Sequence, residues 1–92
     1  MHKIRYTHGF KRSYKKCIKR GLDATVLEKA IQILAETGTL PDTYCPHKLR
    51  GQFKDCWECH LQPDWLLVWQ FAGEGLVLIL IDTGTHSDIF GR

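Results

Sequence analysis

Two short apolar segments, residues 65–71 and 76–81, are the feature that most constrains how this chain can fold. Both are apolar at odd and even positions alike, apart from Gln70, and Gly73-Glu74-Gly75 lies between them. Side chains of a strand alternate between the two faces of a sheet, so a segment without a polar face must be covered on both sides. We therefore predict two adjacent central strands joined by a tight turn.

The first forty residues show a different pattern. Residues 3–7 alternate between apolar and charged side chains, which predicts a strand. Apolar side chains then recur at helical spacing over 8–20 and again over 23–38, which predicts two amphipathic helices. Gly21 ends the first helix and Asp23 caps the second. Because the turn between them is short, we expect an antiparallel helical hairpin.

The remaining segments complete the predicted fold. Residues 38–52 have no clear period and predict a long loop, whereas 57–62 alternate like a strand. A polar tail is predicted after Thr83. The order of elements indicates an α+β fold, in which the N-terminal strand and the helical hairpin pack on one face of a small, mostly antiparallel sheet. We expect residues 1–92 to form one domain.

Positive charge is concentrated at the start of the chain. Residues 1–22 carry eight Lys or Arg and no acid, although the formal net charge of the whole chain is only +3. This cationic segment predicts either a polyanionic partner or a solvated helix face that binds nothing. The same segment does not resemble a signal peptide, and the longest apolar run is too short to span a bilayer. We expect a cytoplasmic protein that does not bind membranes.

The cysteines raise the question of a metal or haem site. Cys56 and Cys59 stand in a C-x-x-C-H pattern, and Cys45 with His47 lies upstream. However, residues three apart on a strand point to opposite faces, so the two thiols would diverge. We therefore predict no metal and no cofactor, and we expect Cys17 and Cys59 to pack in the core.

Four polar residues lie at predicted strand ends or in loops, where they are available for chemistry: His47, His60, Asp64 and His86. Histidine gives or takes a proton near neutral pH, and such proton transfer is what RNA cleavage by the neighbouring 2′-hydroxyl requires. The turn at Pro63 should bring His60 and Asp64 to the same edge of the sheet. Among the aromatic residues, Trp65 and Phe90 are candidates for stacking on a base.

Three segments together resemble a known family. They are His47-Lys48-Leu49-Arg50-Gly51, the run from Glu58 to Leu67 that contains His60-Leu61-Gln62-Pro63-Asp64-Trp65, and Thr83-Gly84-Thr85-His86-Ser87-Asp88-Ile89-Phe90. Their order and spacing are similar to those of the YafQ-like branch of the RelE/ParE toxin superfamily, and the likeness extends over essentially the whole chain.

The resemblance implies the toxin of a type II toxin–antitoxin system. Such a toxin is a metal-independent endoribonuclease that cuts messenger RNA on the ribosome by 2′-hydroxyl attack and so inhibits translation. The implied partners are a cognate antitoxin, the ribosome and mRNA. We expect a monomer when the toxin is free and a hetero-oligomer with the antitoxin when it is inhibited.

The resemblance also implies roles for individual residues. His47, His60, Asp64 and His86 would share acid–base catalysis, with His86 as the acid. The expected RNA- and phosphate-binding residues are Lys48, Arg50, Lys54, Trp65 and Phe90. The expected contacts to ribosomal RNA, made through charge alone, are Lys11, Arg12, Lys15, Lys16, Lys19 and Arg20.

One position departs from the family pattern. Asp82 stands where the family usually has an arginine that stabilises the phosphate. A carboxylate there repels the phosphate, so we expect weakened cleavage unless Arg50 or Lys54 supplies the missing cation. The alternative interpretation is a toxin without nuclease activity, which acts by binding a target such as DNA gyrase.

Overall fold

The computed structural model describes residues 2–91 as a five-stranded sheet with three helices. The elements are β1 (Lys3–Tyr6), α1 (His8–Lys19), α2 (Ala24–Thr37), β2 (His47–Lys48), β3 (Trp57–Gln62), β4 (Trp65–Ala72), β5 (Val77–Gly84) and α3 (His86–Phe90). Short 3-10 turns cover Asp42–Tyr44 and Gly51–Phe53. The strands lie in the order β1-β5-β4-β3-β2.

The sheet has one parallel pair at its edge. β1 runs parallel to β5, with Lys3 opposite Val77, and the other neighbouring strands are antiparallel. The two segments without a polar face are β4 and β5, which pair with each other inside the sheet as predicted. The predicted α+β architecture, with a mostly antiparallel sheet and helices on one face, is confirmed.

Local signals set the bounds of the helical hairpin. The Thr7 hydroxyl accepts a hydrogen bond from the Phe10 N–H and caps α1, and the Asp23 carboxylate accepts one from the Thr25 N–H at 2.9 Å and caps α2. Side-chain caps satisfy backbone donors that the first turn of a helix leaves free. Gly38 ends α2 with φ +80°, a left-handed conformation that glycine adopts without steric cost.

The main hydrophobic core lies between the helices and one face of the sheet, which we call the covered face. Leu27 and Leu34 of α2 pack in the same cluster as Cys59, Leu67 and Leu80 of the strands. The predicted core positions of Cys17 and Cys59 are confirmed, because both side chains are almost fully buried here.

The opposite face of the sheet, which we call the open face, holds a much smaller cluster. It consists of Cys56, Leu66, Val68 and Ile89, with Leu49, Phe53 and Ile81 packed around it. Ile89 belongs to α3, so this cluster fixes the short helix to the open face.

Two elements differ from the sequence-based expectation. The predicted loop 38–52 contains β2, whose two residues are too few to show a period. The predicted polar tail contains α3, a helix of five residues with a capping box between Thr85 and Asp88 and with Gly91 in a left-handed conformation after it.

The predicted domain, 1–92, extends one residue beyond the described range at each end. None of the helices within residues 2–91 is both long and apolar enough to cross a membrane.

Candidate active site

Three imidazole rings form a row on the open face. The ring centroids of His47 and His60 are 6.4 Å apart, and those of His60 and His86 are 5.6 Å apart. His47 comes from β2, His60 from β3 and His86 from α3, so three separate elements build the row. The sequence suggested these residues one by one, and the fold brings them together.

The strand registers explain this arrangement. Residues directly opposite each other on neighbouring strands share a face, and His47 pairs with Glu58. His60 lies two residues beyond Glu58, so it points to the same face. His60 in turn pairs with Leu66, which pairs with Gly84 at the end of β5. α3 begins two residues later, and this carries His86 to the row.

Asp64 and His86 form a directly hydrogen-bonded pair. The His86 Nδ1–H donates to Asp64 Oδ1 at 2.6 Å, and the backbone N–H of His86 donates to the same oxygen at 3.0 Å. Donation by this backbone N–H, and then by the ring, holds the pKa of Asp64 below its usual value. With Nδ1 engaged by Asp64, Nε2 is the ring nitrogen that remains for proton exchange.

Glu58 is a site residue that the sequence interpretation missed. Its side chain lies beneath the histidine row, with Oε1 3.3 Å from His47 Nε2 and 3.8 Å from His60 Nε2. It is only 3 % exposed, and within residues 2–91 its Oε2 has no hydrogen-bond partner. A buried charge is costly unless it serves a nearby partner. The carboxylate is therefore placed to stabilise positive charge on either imidazole.

His47 is oriented from both sides. Its Nδ1 lies 2.9 Å from the Cys45 carbonyl oxygen, while Nε2 faces the Glu58 carboxylate. Both neighbours are hydrogen-bond acceptors, so the doubly protonated ring can donate to both. With both N–H groups engaged in this way, His47 can act on a nearby phosphate only through its charge.

Phe90 extends the site along α3. It remains partly exposed, its ring lies 6.4 Å from that of His86, and Phe53 packs against it edge-on at 5.7 Å. An accessible aromatic ring held at a fixed angle beside an imidazole is suited to stacking on a base.

The prediction that Trp65 stacks on RNA is wrong. Its side chain is 1 % exposed and packs in the main core, where the indole N–H donates to the Thr83 hydroxyl at 3.0 Å. Its position next to Asp64 in the sequence suggested that the ring lies at the edge of the sheet. Alternation along β4 instead turns the ring to the covered face.

The three predicted phosphate-binding cations lie at different positions relative to the histidine row. Lys48 pairs with Trp57, and its ammonium lies 5.9 Å from the centroid of that ring, towards the covered face. Arg50 and Lys54 are exposed on the segment between β2 and β3. Their contact with phosphate stays a prediction.

Asp82 lies on the open face, opposite Val68 in the register. Its carboxylate accepts a hydrogen bond from the Thr83 N–H at 2.8 Å. A bulge at Ile81 shifts the register just before it, so Glu58, Val68 and Asp82 form one row across the sheet. The open face thus carries two carboxylates, those of Glu58 and Asp82, in one row.

The cysteines do not combine into a metal site. Cys56 packs in the open-face cluster and Cys59 in the main core, so the predicted divergence is confirmed. Burial raises the pKa of the Cys59 thiol to about 12, and burial also raises that of Cys56. In the part of the chain described, no three His, Cys, Asp or Glu side chains are grouped to hold a metal ion.

The cationic surface of α1 is formed by Lys11, Arg12, Lys15, Lys16 and Lys19, all of which are exposed. Arg20 differs from them. Its guanidinium makes two contacts with the Asp88 carboxylate, Nη1 to Oδ2 at 2.5 Å and Nη2 to Oδ1 at 3.2 Å. The charge of Arg20 is therefore paired within the protein, and its contact with ribosomal RNA stays a prediction.

Comparison with known proteins shows the family of this chain. Residues 2–91 match the family model described as the bacterial toxin of type II toxin–antitoxin systems, YafQ. The chain belongs to the YafQ toxin family. It is similar to the mRNA interferase toxin YafQ of Escherichia coli (strain K12), with 32% identity over 89 residues that cover 96% of this chain and 95% of the relative.

Solved structures of similar toxins have the same fold. The metal-bound toxin from Helicobacter pylori is 38% identical, with a TM-score of 0.88, and the match covers 98% of this chain and 100% of that one. The toxin of the DinJ-YafQ complex from E. coli is 29% identical, with a TM-score of 0.88, covering 99% of this chain and 100% of that one.

Proposed function

We propose that this chain is an mRNA interferase, an endoribonuclease that cuts messenger RNA on the ribosome and thereby inhibits translation. The observation that supports it best is the hydrogen-bonded Asp64–His86 pair at the end of the histidine row. It supplies an oriented acid, and a second imidazole nearby supplies a base, as transfer of two protons requires.

In the proposed reaction each imidazole of the row has a separate role. His60 removes the proton from the 2′-hydroxyl, and the oxygen attacks the adjacent phosphorus to form a 2′,3′-cyclic phosphate. His86 Nε2–H gives its proton to the departing 5′ oxygen, so one proton is taken up and one is released. Glu58 stabilises the positive charge that His60 acquires, and His47 stabilises the phosphate. Phe90 stacks on a neighbouring base.

The proposed partners follow from the charge and the family. The five exposed cations of α1 contact ribosomal RNA through its phosphates, which gives affinity without sequence readout. A cognate antitoxin binds the toxin and inhibits it. The free toxin is a monomer, and the inhibited toxin is part of a hetero-oligomer with the antitoxin. The protein acts in the cytoplasm, where ribosomes and mRNA are present, and needs no metal or cofactor.

Expression in bacteria tests this proposal. Growth should stop, and mapping of mRNA ends should show new breaks inside translated codons. His86→Ala or Asp64→Ala should restore growth, because each removes one half of the oriented acid, and acid–base groups contribute roughly 100- to 10,000-fold to rate. Full toxicity of both variants would refute the assigned chemistry. DNA damage signalling without mRNA breaks would instead favour a gyrase-directed toxin.

Asp82 provides a sharper test of the phosphate contact. Replacing an acid on the open face with a base removes repulsion and adds attraction, so Asp82→Arg should cut faster than the natural protein in a ribosome-dependent assay. Asp82→Asn is the matched control and should lie between the two. Slower cleavage by Asp82→Arg would show that the carboxylate itself contributes to the reaction.

A further inference from the structure

The ion pair between Arg20 and Asp88 connects two helices that are distant in the sequence. Arg20 follows the last turn of α1, and Asp88 lies in the first turn of α3. The two-point geometry of guanidinium and carboxylate fixes orientation as well as distance. The cation lies at the negative end of one helix dipole and the anion at the positive end of the other, so both dipoles favour the pair.

Asp88 also holds α3 together internally. Its Oδ2 accepts a hydrogen bond from the Thr85 N–H at 3.0 Å, and its own N–H donates to the Thr85 hydroxyl at 3.0 Å. The carboxylate is packed tightly over the end of β5, because a Cβ added at Gly84 would lie only 2.8 Å from Oδ2. The orientation of the Asp88 side chain therefore determines how the first turn of α3 is held.

α3 has few other constraints. It has five residues, and isolated helices of this length are not stable in water. Within it only Ile89 is buried, while His86 and Phe90 project to the site. Asp64 holds the start of the helix from the β3–β4 turn, and Arg20 holds it from α1.

We propose that Arg20 is a positioning residue for cleavage, which acts through Asp88 to keep α3, and with it His86 and Phe90, in the reactive orientation. It does not act by contacting RNA. This inference rests on the proposed nuclease function, because it assigns a purpose to the position of His86. Small displacements of a catalytic group are costly, since an error of about 1 Å can reduce a rate by about 100-fold.

Three glutamine variants separate positioning from simple loss of charge. Arg20→Gln removes the pair. Lys19→Gln removes the same charge from the neighbouring residue of α1, which is exposed. Arg5→Gln makes the same substitution on β1, outside the site, and should cut at the natural rate. Cleavage of ribosome-bound mRNA should fall about tenfold in kcat for Arg20→Gln with little change in KM, because bound substrate meets a misplaced acid. Lys19→Gln should change KM and its salt dependence instead.

Hydrogen exchange gives a readout that does not depend on activity. The N–H groups of Ile89 and Gly91, which donate to the Thr85 and Ser87 carbonyl oxygens, should exchange faster in Arg20→Gln. They should be unchanged in Lys19→Gln and Arg5→Gln. Arg20→Lys, which restores one contact to the carboxylate, should recover part of both the protection and kcat.

A double-mutant cycle completes the test. Arg20→Gln and Asp88→Asn combined should be no worse than the more severe single variant, because both remove the same contact. Additive losses, or equal losses of kcat for Arg20→Gln and Lys19→Gln, would overturn the proposal. If the natural protein cuts no RNA, the proposed function fails, whereas unchanged exchange in Arg20→Gln refutes the positioning role alone.

Discussion

The two faces of the sheet have the same strands but opposite properties. The covered face buries a large apolar cluster under α1 and α2. Within residues 2–91, the open-face cluster buries only four apolar residues, and a carboxylate lies on the same face. Glu58 and Cys59 are neighbours in one strand, yet one lies under the histidine row and the other in the main core. Stability and chemistry are therefore separated by strand alternation, not by position along the chain.

The largest expected effect tests the covered face. Leu67→Ala removes a fully buried side chain from the main core and should lower the free energy of unfolding by about 2–5 kcal/mol. The folded fraction should still cut RNA at the natural rate, because Leu67 lies on the face opposite the histidines. Denaturant unfolding and active-fraction assays measure the two quantities.

Leu76→Ala is the matched control for that prediction, since Leu76 is 69% exposed and its truncation should cost less than about 0.5 kcal/mol. A loss of activity per folded molecule in Leu67→Ala would break the separation between the faces.

The next prediction tests the open face. Glu58→Gln keeps the shape of the side chain but removes a buried charge, one oxygen of which has no hydrogen-bond partner among residues 2–91. Cleavage should fall by about 10- to 100-fold, while thermal stability should stay equal or rise, because the cost of burying the charge disappears. Glu74→Gln, on the exposed turn between β4 and β5, is the control. Reduced stability in Glu58→Gln would show that the carboxylate belongs to the fold more than to the site.

The smallest expected effect is a loss of thermal stability at low pH. Donation from the His86 backbone and ring lowers the pKa of Asp64, and the ion pair with Arg20 lowers that of Asp88. A lowered folded pKa means that the unfolded chain binds more protons, so this stabilisation is complete above the ordinary Asp value of about 3.9 and is lost as the pH falls below it. Tm should drop by a few degrees between pH 5 and pH 2.5.

Asp64→Asn should reduce this pH dependence, because asparagine does not titrate. The variant should begin from a lower Tm at neutral pH and then lose less on acidification. An unchanged slope in Asp64→Asn would assign the acid sensitivity to other carboxylates.

Sequence patterns predicted the covered face better than the open face. The two segments without a polar face identified β4 and β5, and helical spacing identified α1 and α2, because many residues contribute to each of these signals. β2 and α3 are too short to show a period in the sequence. For α3, the sequence signal is the capping box formed by Thr85 and Asp88.

The site was predictable only in part, for a related reason. His60 and Asp64 share a turn, so their proximity followed from local sequence. Glu58 was overlooked because a glutamate in an alternating strand is usually exposed, although its position two residues before His60 places it on the same face. The pairing of Arg20 with Asp88 joins residues 68 apart in sequence, and no local pattern indicates it.

The parallel pairing of β1 with β5 has a consequence for how the toxin becomes active. The first strand of the chain cannot find its partner until β5 has been made, and α3 follows β5 in the chain order. A nascent chain that ends before α3 therefore carries His47, His60 and Glu58 without His86, the proposed acid. On the proposed function, nuclease activity therefore appears only after β5 and α3 have been synthesised and have joined the sheet.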